Sequence, residues 1–124
     1  MRKLILMLIA VLSLASCEQK DTIVNARWVS FNIRNDNPAD SLNNWKYRKE
    51  RVAQFIKDYQ IDVIGAQEVL HNQFLDMEQM LPGFKGVGVA GTDGKTEGGY
   101  CAVFYNTNKF DALDSGTFWL AEKP

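Results

Sequence analysis

Apolar and polar residues alternate most clearly in residues 22–33 (TIVNARWVSFNI). Near the end of that run Val29, Phe31 and Ile33 fall on one face, and Trp28, Ser30 and Asn32 on the other, which is the two-residue period of a strand. Residues 34–44 are rich in Asn and Asp, contain Pro38 and read as a loop. From Trp45 to Tyr59 apolar residues recur at 45, 52, 55, 56 and 59 with charges between them. That spacing predicts a helix, with Asn43 or Asn44 as its N-cap. Residues 61–67 (IDVIGAQ) enclose a short apolar run, as in a strand covered on both faces. Leu70, Phe74, Met77 and Leu81 return to helical spacing, and Pro82-Gly83 ends that helix. Residues 83–99 hold seven of the nine glycines and read as a flexible loop. Residues 100–105 read as a strand, 106–109 as a turn, and 110–120 as one or two further strands. Strand, helix, strand, helix and then strands is the order of an α/β fold with helices covering one face of a sheet.

Composition narrows the chemistry. The 124 residues are 46% hydrophobic and 23% charged, ordinary for a globular chain and enough for one small domain. The net charge is −1, and leaving out Arg2 and Lys3 of the leader makes it −3, with twelve basic residues against fifteen acidic. A cationic surface for gripping nucleic acid is therefore excluded, and any hold on phosphate must be local.

The leader, residues 1–16, is MRKLILMLIAVLSLAS. Arg2 and Lys3 form a positive n-region, and Leu4 to Leu14 an apolar stretch too short to span a bilayer. Leu14-Ala15-Ser16-Cys17 resembles the bacterial lipobox, with cleavage before Cys17 and lipid on its thiol; a plain secretory signal with a chance Cys is the alternative. That resemblance implies a bacterial cell-envelope protein held to the membrane through lipidated Cys17, on the periplasmic or outer side, with 17–21 as tether. Cys101 is then left without a partner for a disulfide, and its apolar surroundings (YCAVFY) predict a buried, inert thiol. His71 is the only histidine, so a His-rich metal site is excluded within these residues.

Two polar residues stand where apolar strands stop. Asn32 follows Val29-Ser30-Phe31, and Glu68 follows 63–67. If the two strands are parallel neighbours, an amide oxygen and a carboxylate converge at the carboxyl edge of the sheet, where α/β proteins tend to place ligands. Such a donor set suits magnesium, which prefers oxygen and keeps several waters. Spacing alone favours the local alternative, in which Asn32 caps a turn and Glu68 caps the helix beginning near Leu70.

A larger pattern shifts that balance. Phe31-Asn-Ile-Arg34, Gly65-Ala-Gln-Glu-Val69 followed by Gln73, the glycine-rich run 86–94, Ala102-Val-Phe-Tyr105 and Gly116-Thr-Phe-Trp-Leu120 occur in that order. The set resembles the endonuclease/exonuclease/phosphatase superfamily, the deoxyribonuclease I-like group, and within it secreted bacterial members. The resemblance covers nearly all of the chain after the leader. It implies the N-terminal half of a four-layer α/β/β/α sandwich over residues 22–124, with one mixed sheet carrying helices on its outer face. It also implies a magnesium-dependent phosphoester hydrolase of the phosphodiesterase, nuclease or phosphatase type, with manganese as the alternative ion.

Carried over residue by residue, Asn32 and Glu68 match the family's metal-site amide and carboxylate. Gln67 matches its Gln-Glu pair as a group that orients the site, and Arg34 matches a residue that contacts substrate or loop, a surface salt bridge being the alternative. Trp45 and Arg48 match a structural helix start, and Trp119 a core or pocket-wall position. Gly98-Gly99-Tyr100 departs from the family's Gly-Glu-Tyr. The catalytic histidines and the Asp-x-Asn of the family have no counterpart before Pro124, so no catalytic residue is assigned and the isolated chain is expected to be inactive. The substrate class stays open among nucleic acid, sugar phosphate and lipid head group, and no protein partner is indicated. A catalytically degenerate envelope lipoprotein acting as a binding module is the alternative, in line with Gly99.

Overall fold

The computed structural model describes residues 25–121. The leader, Cys17 and the tether lie outside the described residues. Seven elements follow one another: β1 (Trp28–Asn32), a short 3-10 segment (Pro38–Asn43), α1 (Trp45–Asp58), β2 (Val63–Val69), α2 (His71–Met80), β3 (Phe84–Val87) and β4 (Tyr100–Asn106). The strands form one mixed sheet in the order β1-β2-β4-β3. β1 runs parallel to β2, with Trp28 opposite Val63 and Asn32 opposite Gln67. β4 is antiparallel to both β2 and β3.

Helical and strand periods meet on one side of this sheet. Trp45, Val52, Ala53 and Ile56 of α1 and Met77 of α2 are buried against Ile64 and Ala66 of β2 and Ala102 and Phe104 of β4. Val29 and Phe31 of β1 pack on the same cluster. The α1 N-cap is Asn44, whose side chain accepts from the Lys46 amide. The Trp45 indole is buried, and its Nε1 donates to Asp76 Oδ2 at 2.8 Å, which ties the start of α1 to α2. At Gly86 of β3 an added Cβ would overlap the Phe74 ring and come within 2.9 Å of Phe104, so glycine there lets α2 sit close on the sheet.

Four expectations change. β3 lies inside the glycine-rich stretch that reads as a loop. Its four residues, FKGV, are too few to show a period, but Phe84 and Gly86 face the helices while Val87 pairs with Val103. The loop over 34–44 contains the 3-10 segment, entered through Asn37, whose side chain accepts from the Ala39 amide, with Pro38 in its first turn. Residues 110–120 form no strand. They cross the open side of the sheet, where Phe110 meets Trp28 edge-on with ring centres 6.5 Å apart. Cys101 is exposed rather than buried, because positions 101 and 103 of β4 point away from the helices onto that open side.

At the far end of β2, Asp62 is buried and accepts from the Arg27 amide (3.0 Å) and from Lys109 Nζ (3.0 Å). Burial pushes this carboxyl up, but the Lys109 and Arg27 bonds more than offset it and hold it below the usual aspartate range. A depressed folded value contributes stability above the ordinary aspartate pKa, and that contribution fades as pH falls through the folded one. We expect Asp62→Asn to cost about 2 kcal/mol at neutral pH, the scale of hydrogen bonds to a charged group. Urea curves of variant and parent should then converge below about pH 4. We expect Gly86→Ala to cost ~1–3 kcal/mol in the same assay, the range for overpacking a filled core.

Candidate metal centre

The site is built where β1 ends and β2 bulges. β2 pairs regularly with β4 through Ala66 opposite Ala102, and the register then slips so that Val69 faces Tyr100. The extra residue in this interval is accommodated with Glu68 at φ +59°, a left-handed conformation that non-glycine residues rarely adopt. Glu68 therefore lies inside β2, not after it, and the bulge re-aims its side chain toward the end of β1. Each carboxylate oxygen is held by one donor, Asn32 Nδ2 to Oε1 at 2.7 Å and the Asn35 amide to Oε2 at 3.3 Å, and each keeps a lone pair free.

The Asn32 amide is oriented by its other contact. Its Oδ1 accepts from the Arg34 backbone N–H at 2.8 Å, which can only be a donor, so the nitrogen must face Glu68. The expected meeting of residues 32 and 68 is thus present, but through the amide nitrogen. The Asn32 oxygen retains one lone pair, while the Glu68 carboxylate is the charged oxygen donor. Hydrogen bonds from Asn32, then from the Asn35 amide, hold Glu68 below the usual glutamate range, with Arg34 and Arg48 adding positive charge nearby.

The other predicted residues are placed as follows. Arg34 has φ +58° and forms a two-pronged pair with Asp40, Nε to Oδ2 and Nη2 to Oδ1, both 2.6 Å. It contacts the loop, and the pair raises the arginine and lowers the aspartate. Gln67 is not drawn to Glu68. Its Nε2 donates to the Gly65 carbonyl (2.7 Å) and to Ser30 Oγ (3.3 Å), so it braces the sheet behind the site. Trp119 is half-buried, donates to the Gly91 carbonyl at 3.1 Å and walls the glycine-rich loop. His71 Nδ1 lies 2.8 Å from the Tyr100 hydroxyl. That hydroxyl spends its own proton on the Lys95 carbonyl (3.0 Å), so His71 is the donor of the pair. Gly99 rests against the bulge, where an added Cβ would sit 4.0 Å from the Glu68 Cα, an ordinary contact.

Sequence reasoning assigned no role in the site to Gln73 or Asp36. Gln73 is completely buried in α2 and bonds the loop after β1, and Asp36 accepts from Asn44 (3.1 Å) and Asn72 (2.9 Å). The available signal was a polar residue on the buried face of an otherwise apolar helical stripe. Among the described residues no three His, Cys, Asp or Glu side chains converge as a metal cluster. The donor set is one ionised carboxylate beside an amide, open to solvent. It fits a hard cation that keeps most of its waters.

Residues 29–118 match the Endonuclease/Exonuclease/phosphatase family. The chain belongs to this family. An endonuclease/exonuclease/phosphatase of Bacteroides vulgatus is 59% identical, with a TM-score of 0.79 over 82% of this chain and 39% of that one. A mannosyl-6-phosphatase of Bacteroides thetaiotaomicron is 39% identical, with a TM-score of 0.76 over 81% of this chain and 38% of that one. The CCR4-Not complex 3'-5'-exoribonuclease subunit Ccr4 of Neurospora crassa is 31% identical over 71% of this chain and 12% of its own. The chain thus spans less than two fifths of the solved relatives it resembles. These likenesses agree with the mixed α/β sheet described above.

Replacing Asn32 removes the largest influence on Glu68. In Asn32→Ala the Glu68 carboxyl should titrate higher, toward the ordinary glutamate value of about 4.3. Carboxyl carbon NMR shifts followed against pH read this directly, and an unmoved Glu68 curve would contradict the assignment.

Proposed function

We propose that the protein is a divalent-metal-dependent phosphoester hydrolase, with magnesium, or manganese in its place, held at Glu68. The family, whose members include a phosphatase and an exoribonuclease, supports hydrolysis of phosphate esters as the reaction type. The observation that carries the metal site is the carboxylate of Glu68, turned out of its strand by a left-handed bulge and fixed by Asn32 and the Asn35 amide. An isolated carboxylate pair or a helix cap would not require that backbone. A bound cation would polarise a phosphoryl oxygen and offset charge on the leaving group. Around it Glu68 supplies the negative charge, Asn32 keeps the carboxylate aimed, and Arg34, locked on Asp40, shapes the loop beside it.

Among the described residues the site has one carboxylate and no group placed as a general base beside it, so we assign hydrolysis to the whole protein. The substrate is a phosphate ester whose class is set by residues outside this site. Lipidation at Cys17 would present that site at the bacterial envelope. A second reading, a binding module without turnover, is favoured by Gly99. A side chain would fit at this position, so its absence is a choice of residue and not a steric need.

Two measurements decide among these. Manganese titration of the 124-residue chain, followed by the ion's paramagnetic resonance, should show weak binding that Glu68→Gln abolishes. Bis-p-nitrophenyl phosphate with magnesium should be hydrolysed by the whole protein and not by the 124-residue chain. Robust turnover by that chain would overturn the claim of inactivity, and a whole protein that binds manganese without turnover would establish the binding-module reading.

A further inference from the structure

We propose that Arg48 and Gln73 are positioning residues for the Glu68 carboxylate, acting through the backbone of residues 33–36. The inference rests on the metal-site reading of Glu68 and names what makes that site rigid. Neither side chain touches Glu68. Both grip the turn that delivers Asn32, Arg34 and the Asn35 amide to it.

Arg48, one turn into α1, bonds four backbone carbonyls. Its Nε donates to Asn43 (2.7 Å), Nη1 to Ile33, and Nη2 to Arg34 (2.6 Å) and Asn35 (3.0 Å). A guanidinium is a planar fork of five donors and can serve several acceptors in one plane, which an ammonium cannot. The Trp45 ring beneath it, 5.3 Å from the guanidinium carbon, keeps the fork in place. Gln73 reaches the same turn from α2. Its Nε2 donates to the Arg34 carbonyl (2.9 Å), and its Oε1 accepts from the Asp36 amide (3.0 Å) and the Leu70 amide (3.0 Å).

The two grips converge on one atom. The Arg34 carbonyl oxygen accepts from both Arg48 and Gln73, so both of its lone pairs are used. Arg34 is also the residue with φ +58°. A non-glycine residue keeps such a conformation only where its surroundings over-determine it. Here two helices do so, one on each side of the turn. The result fixes the Arg34 N–H on Asn32 and the Asn35 N–H on Glu68, the contacts that aim the carboxylate.

The first test needs no variant. In the metal-free 124-residue chain the Asn35 and Asp36 amides should exchange with solvent as slowly as amides within β1, although Asn35 is exposed. Exchange at the rate of an open loop would overturn the proposal. The second test uses Arg48→Lys, which keeps the charge, and Gln73→Met, which keeps volume and neutrality. Each should weaken manganese binding by about tenfold or more, the usual effect of losing a group that orients a metal ligand. Each should also speed Asn35 exchange relative to the centre of α1. Variants that fold and bind manganese as tightly as the parent would overturn the proposal, and if neither folds, the parent's exchange rates decide it. Failure of the underlying metal reading looks different: the parent itself would bind no manganese, or Glu68→Gln would not alter binding, while the amide exchange still reports on the clamp.

Discussion

The site depends on a backbone irregularity: one extra residue in β2 opposite β4, which turns Glu68 out of the sheet's alternation. A regular strand would send side chains 67, 68 and 69 to alternating faces, and the carboxylate would miss the end of β1. The bulge breaks that rule once and returns Val69 to the buried side. Left-handed glutamate is unfavourable in isolation. In that geometry the carboxylate gains two donors, which offset the cost. Strain and hydrogen bonding are thus coupled: the turn after β1 holds the carboxylate, and the carboxylate holds the bulge.

The pieces of the fold with a long period were legible. Both helices are set by apolar residues at helical spacing, and β1, β2 and β4 by runs whose alternation or apolarity is plain. The parallel pairing of β1 and β2, a condition on which the sequence reading rests, is met in the sheet. What could not be read was conformation without periodicity. Nothing in Gln67-Glu68-Val69 marks a bulge. Nothing in FKGV distinguishes an edge strand from the glycine-rich loop around it. Residues 110–120 carry apolar and aromatic residues that suggest strands, but a strand needs a partner ladder, and this segment lies across the sheet face instead of extending its edge. Cys101 is exposed against expectation for a related reason. An apolar run shows that a strand is buried without showing on how many sides.

The candidate residues divide in the same way. Asn32 and Glu68 were recognisable as polar ends of apolar runs, and their contact is present. The direction of the Asn32 amide was not recognisable, because it is decided by the Arg34 backbone N–H. Gln67, next to the key carboxylate in sequence, serves the sheet on the other side, as neighbours in a strand do. Arg48, twenty residues before Glu68, and Gln73, five after it, converge on the loop because α1 and α2 pack side by side. Which way a side chain faces, and not its distance along the chain, decides whether it shapes the site.

The Asp62–Lys109 contact has a consequence for how this molecule tolerates change. Asp62 just before β2 and Glu68 near its other end are six positions apart, roughly 20 Å at the rise of an extended chain. Groups separated that far, with no shared partners, contribute independently. The Asp62 contact at one end of β2 and the contacts that aim the carboxylate at the other are thereby insulated from each other. Substitutions around one pole of β2 therefore add to those around the other and do not couple with them.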